Sequence, residues 1–194
     1  MNIIDRVKNI LMTPKTEWDV INGETATPQS LLMGYILPLA IVAAVGPILT
    51  GLLFGGIYGM TYYIALGIIA FIASIVTFYV TVIIIDMLAP SFGSEKNIGK
   101  SAQLVAYSGT PSYIGSLLSF IPVIGMVISL AAWAYGIYIM YLGIGPLKKT
   151  PEDKKVVYMI IAFVIMIALY FIIVAILTGI AVASFGIGAA GLFR

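Results

Sequence analysis

The chain has 194 residues, 61% of them hydrophobic and 9% charged, with a mean hydropathy of +1.12. Soluble domains carry about 25% charged residues, so this composition excludes a globule at home in water and leaves an integral membrane protein. The absence of Cys excludes disulfides and thiolate chemistry, the absence of His removes the commonest general base and metal ligand, and a net charge of +2 offers no nucleic-acid surface.

The N-terminal stretch MNIIDRVKNILM places Ile3, Ile4, Val7, Ile10 and Leu11 at helical spacing, with Asp5, Arg6, Lys8 and Asn9 mostly opposite. Thr13-Pro14 then opens a second short helix, TPKTEWDVI. Residues 1–30 therefore read as a cytoplasmic amphipathic segment, which either lies on the membrane surface or packs against the bundle's own loops. The segment lacks the order of basic start, apolar core and small-residue cleavage site, so it is not expected to be a secretory signal.

Residues 31–190 read as a membrane domain of five helices, with spans near 31–54, 62–86, 102–121, 123–147 and 156–190. Each supplies the roughly 20 apolar residues that a ~30 Å bilayer core requires. GGIYGMT (55–61) joins the first two spans, and a tight turn around Pro122 joins the third and fourth. Thr150-Pro151-Glu152-Asp153 supplies an N-cap, a first-turn proline and two acids for the last helix. With five spans, every Lys and Arg except Arg194 falls on one side, which by the positive-inside rule puts the N-terminus in the cytoplasm and the C-terminus outside the cell membrane.

Chemistry-bearing residues are few. Asp86 ends the second span, four residues before Pro90. It is either a boundary residue, hydrated or paired with Lys96 or Lys100, or a proton or ion site. Gly99-Lys100-Ser101 suggests a phosphate loop, but position 94 is Ser where that motif needs Gly, and a membrane span precedes it. The carboxylates are scattered, so no paired-acid or metal site is expected, and the chain reads as a non-enzyme without a cofactor.

The third span, LVAYSGTPSYIGSLLSFIP (104–122), is the polar one. Ser101, Ser108, Ser112, Ser116 and Ser119 fall within about 80° of one another on a helix, interrupted by Pro111. This stripe either packs against a neighbouring helix, satisfies carbonyls freed by Pro111, or lines a polar path with Tyr107 and Asp86. Gly51 and Gly55 form a small-residue surface for close helix contact, which leaves a homo-oligomer open. Pro38 and Pro47 are expected to kink the first span. Tyr58, Tyr62 and Tyr63 fit an interfacial belt, while Tyr135, Tyr138 and Tyr141 lie deeper, with the third-helix serines as expected partners.

The segment LAPSFGSEKNIGKSAQLVAYSGTPSYIGSLLSFIPVIG (88–125), with Tyr107-Ser108, Pro111 and Ile121-Pro122 before Gly125, resembles the prokaryotic branch of the Yip family. MTPKTEW resembles that family's short Pro-x-x-Glu-Trp segment before the first span. The resemblance implies five spans, a cytoplasmic N-terminus and a non-enzymatic protein. Eukaryotic members are similar to trafficking adaptors that associate with Rab-type GTPases, with one another and with vesicle components. This sequence departs from them in lacking their extended cytosolic N-terminal domain and their Asp-Leu-Tyr-Gly-Pro motif; DMLAP (86–90) shares only the Asp and Pro spacing. The expected role is therefore membrane organisation or partner recruitment through loops 89–101 and 148–155 and the N-terminal helices. The alternative is a small channel or transporter along the third helix.

Overall fold

The structure is a computed structural model that describes residues 2–54, 59–121 and 123–185. All regular elements among the described residues are helical. Helices α1 (Ile3–Met12) and α2 (Pro14–Asn22) come first. Asn2 caps α1 by accepting the Asp5 N–H at 2.8 Å, and Pro14 opens α2 where its missing N–H is harmless.

The run Pro28–Phe54 is continuous but not uniform. Helix α3 (Pro28–Leu31) starts at a Thr27–Ser30 capping box, passes through a π turn at Leu32–Ile36, and continues as α4 (Leu37–Phe54). The π turn lies just before Pro38, whose ring in a regular helix would strike the Gly34 carbonyl. The wider turn takes up that conflict.

Helix α5 (Gly59–Leu88) ends in a 3-10 turn at Ala89–Phe92. Helices α6 (Ile98–Ser108) and α7 (Thr110–Leu117) follow, then a 3-10 turn at Leu118–Phe120. Helices α8 (Ile124–Lys148) and α9 (Glu152–Phe185) complete the described chain. Among the described residues, four runs are long and apolar enough to cross a membrane: Pro28–Phe54, Gly59–Phe92, Ile124–Lys148 and Glu152–Ile180. The part of the expected last span beyond Phe185, and the turn residue Pro122, lie outside the described residues.

The third expected span, 102–121, differs from expectation because it is not one helix. It breaks at Gly109 into α6 and α7, and Pro111 sits in the first turn of α7, where it starts a helix instead of kinking one. Thr110 Oγ1 donates to the Tyr107 carbonyl at 2.7 Å, taking up an acceptor that the break leaves free. The two pieces keep a steady antiparallel register along α8. Ser119 faces Gly125, Gly115 faces Ala132, Ser108 faces Gly136, and Ser101 meets Lys148.

Helix α5 packs between α4 and α9 and also against α6, while α7 sits between α4 and α8. Glycines permit close approach of neighbouring helices. A Cβ on Gly136 would lie 2.8 Å from the Ser108 carbonyl oxygen, so no side chain fits there without moving backbone. Helix α9 is the peripheral member, with Val164, Phe171 and Ile176 turned outward as a lipid-facing surface requires.

Thr150 does not serve as the expected N-cap of the last helix. Its hydroxyl instead donates to the Ile144 carbonyl at 3.1 Å and accepts from Ser94 at 2.8 Å. The Pro151 carbonyl takes the Lys154 and Lys155 N–H groups, and Glu152 and Asp153 keep their place in the first turn of α9.

Candidate functional site: a buried ionic end and a hydroxyl-lined cavity

The ends of α5, α6 and α8 converge on Lys148, which is fully buried. Its Nζ lies 3.1 Å from Asp86 Oδ1, 2.7 Å from Ser101 Oγ and 3.3 Å from the Asn97 carbonyl. The same Asp86 oxygen accepts the Asn97 N–H at 2.8 Å and the Ser101 hydroxyl at 2.9 Å. Asp86 is thus neither hydrated nor paired with Lys96 or Lys100, as expected for a boundary residue. It is 6% exposed and held by a lysine 62 positions away. A charge taken out of water needs this full set of partners.

Tyr158 extends the cluster by donating to the Ile85 carbonyl and stacking on Phe92 with ring centroids 4.8 Å apart. Outside it, Lys149 and Glu95 form an exposed pair at 2.8 Å, and the lysine holds the Glu95 carboxyl below its usual pKa.

The N-terminal helices dock on this same end. Trp18 is buried and donates its Nε1–H to the Ile139 carbonyl at 3.0 Å, across the gap left by Gly143. Arg6, expected on the solvent face of α1, is 5% exposed. It pairs with Glu17 at 2.5 Å and with Glu24, and its guanidinium stands 5.1 Å over the Tyr107 ring. Tyr107 also meets Tyr35 edge-on at 4.9 Å, and Tyr35 OH bonds Thr110 Oγ1 at 2.7 Å. Lys100 donates to the Asn22 and Glu24 carbonyls at 2.7 and 2.9 Å, closing the end of α2. Tyr135 OH reaches the Leu11 carbonyl at 2.7 Å, so its partner is α1 and not the expected serines. The docked reading of α1 and α2 describes this face, while Ile4, Met12 and Val20 stay exposed on the other.

The remaining candidates lie deeper. Ser112, Ser116 and Ser119 line a cavity of about 570 Å³, and Ser108 and Ser112 line a smaller one of about 160 Å³. Ser108 Oγ donates to the Leu104 carbonyl at 2.6 Å and Ser116 Oγ to the Ser112 carbonyl at 2.8 Å, the usual local bonds of a membrane-helix serine. Across the larger cavity stand Ser74, Thr77 and Thr81 of α5, with Pro47 of α4 and Trp133 of α8.

The predicted site residues therefore fall into separate groups. Asp86 and Ser101 belong to the ionic end, Tyr107 to the docking surface of α1 and α2, and Ser108, Ser112, Ser116 and Ser119 to the cavities. Pro111 is buried in the first turn of α7, at the break. Gly51 packs within the chain, because a Cβ there would fall 2.8 Å from Tyr63. Gly55 lies outside the described residues.

Sequence reasoning missed Lys148, Arg6, Glu17 and the α5 hydroxyl row. Only the last had a clear signal: positions 74, 77 and 81 repeat at one-face helical spacing. A comparison with family models matches the Yip1 domain over residues 8–176. No curated protein and no solved structure matches the chain.

Proposed function

The chain belongs to the Yip1 family, and from that premise we propose that it is a non-enzymatic, five-crossing organiser of the cell membrane that recruits partners through its lysine-rich end. The observation that carries this reading is the docking of α1 and α2 on that end through Trp18, Arg6 and Lys100. Fastened in this way, the N-terminal helices and loops 89–101 and 148–155 make one rigid polar face. Exposed Lys8, Lys15, Lys96 and Lys154 stand on it beside exposed Ile4 and Met12. A face of fixed shape with mixed charged and apolar residues suits protein contact or lipid headgroups.

Support for a fifth crossing comes from the direction of the chain. The α5 end meets the α8 end at Asp86 and Lys148, whereas the start of α8 meets Ser119. Residues 98–120 therefore have to travel the length of α8, about 34 Å for a helical run of that size. With an odd number of crossings the lysine-rich end faces the cytoplasm.

The cavity beside Ser112, Ser116 and Ser119 favours the second reading, a solute path. Against that reading, Asp86 is absent from the cavity wall and is pinned by Lys148.

Photocrosslinking in native membranes from positions 8, 15 and 96 tests the adaptor reading. Adducts to a defined protein or to a second copy are expected. No adducts, together with flux in reconstituted vesicles that Ser112→Leu abolishes, would replace it with the transporter.

A further inference from the structure

We propose that the larger cavity is a binding site for a neutral, hydroxyl-bearing membrane lipid that enters sideways from the bilayer. At about 570 Å³ the cavity has the size of a small-molecule site, roughly 300–1,000 Å³. Its wall is mostly apolar and carries two facing rows of hydroxyls, Ser74, Thr77 and Thr81 on α5 and, opposite, Ser112 and Ser116 on α7 with Ser119 in the 3-10 turn that follows. Among the described residues, no lysine, arginine or carboxylate lines it.

That lining selects the occupant. A charged headgroup drawn to this depth would lose its hydration with no counter-ion in reach, so phospholipids are disfavoured. A lipid whose only polar groups are uncharged hydroxyls or esters meets hydroxyl partners instead. Ser74 donates to its own helix carbonyl and is bonded to Tyr113, which also lines the cavity, while Ser116 donates to the Ser112 carbonyl and retains acceptor capacity for a donor such as a lipid hydroxyl.

Thr77 adds an independent indication. Its Oγ1 is buried and has no hydrogen-bond partner, unlike Ser74 one turn away. An orphan hydroxyl of this kind is destabilising until a partner reaches it. Threonine divides between two side-chain rotamers in a helix, so one rotation exchanges its methyl and hydroxyl and presents the hydroxyl to an occupant. The entrance lies on the side where Trp133, Ile167 and Tyr170 remain 40–50% exposed, between α8 and α9, well away from the ionic end.

The test uses the full chain in lipid vesicles with three photoactivatable probes: a diacylglycerol, a polyprenol, and a phosphatidylglycerol with the same chains as the diacylglycerol. The proposal expects a neutral probe to label cavity peptides of α5, α7 or α9. Ser112→Phe and, as a milder filling, Ser116→Leu should cut that labelling at least tenfold in protein that retains its thermal transition. Thr77→Val should reduce it about three- to tenfold, and Thr77→Ser should restore it. The proposal is overturned if neither neutral probe labels these peptides, if phosphatidylglycerol labels them equally, or if the filling variants or Thr77→Val leave labelling unchanged.

Discussion

Lys148 Nζ and Asp86 Oδ1 lie 3.1 Å apart in an environment that leaves the lysine no contact with solvent, and this pair ties the end of α8 to the end of α5. It is an anchor first, because Lys148 Nζ and Asp86 Oδ1 take all their partners from protein: Ser101, Asn97 and each other. Breaking such a pair strands one charge where water cannot reach it.

Lys148→Met is therefore expected to lower stability by about 3–5 kcal/mol, and Asp86→Leu by a comparable amount. The double variant should recover much of the loss, since no unpaired charge then remains. Reversible unfolding in mixed micelles measures all three. Strictly additive losses would show that the pair is not coupled.

Trp18→Phe keeps most of the ring but removes the bond to Ile139, leaving that carbonyl without its indole donor. The expected cost is about 1–3 kcal/mol, confined to the docked N-terminal helices. Gly143→Ala should act on the same contact from the opposite side, because its Cβ would stand 2.5 Å from the indole. Hydrogen exchange read peptide by peptide should show faster exchange over residues 3–22 in both variants, with α5 and α9 unchanged.

Much of this architecture is legible in the sequence, and the part that is not has a physical reason. The long runs Pro28–Phe54 and Gly59–Phe92 announce themselves by length and hydropathy, since lipid admits few alternatives to a helix. The start of α2 at Pro14 follows from local chemistry alone. Lys148 could not be singled out, because in sequence it is one of a run of loop lysines and only tertiary structure brings Asp86 to it. Arg6 misled for a related reason. Helical periodicity places it on the polar face of α1, and that face is covered by Glu17 and Tyr107 from elsewhere in the chain. The break at Gly109 is visible as a Gly-Thr-Pro sequence, yet Pro111 marks the helix start that follows it and not the site of the break.

Close packing of α4 on α7 depends on Gly46, where a Cβ would collide with the Ser116 carbonyl and crowd Ser119 Oγ. Gly46→Ala is expected to destabilise by about 1–3 kcal/mol, because backbone atoms must move. Gly34→Ala is the control, having open space around the added methyl. Its effect should be near zero or mildly stabilising. Equal effects at the two positions would contradict the packing described for α4.

Residues 98–120 carry the central claim, since five crossings require this broken helix to pass through the membrane. The chain contains no cysteine, so single cysteines can be introduced on the natural background. Lys96→Cys and Val123→Cys bracket the segment at exposed positions. Labelling of intact cells with a membrane-impermeant thiol reagent should modify position 123 and spare position 96 until the membrane is opened. Equal modification of both from the outside, or protection of both, would put the two ends of 98–120 on one side and contradict the fifth crossing.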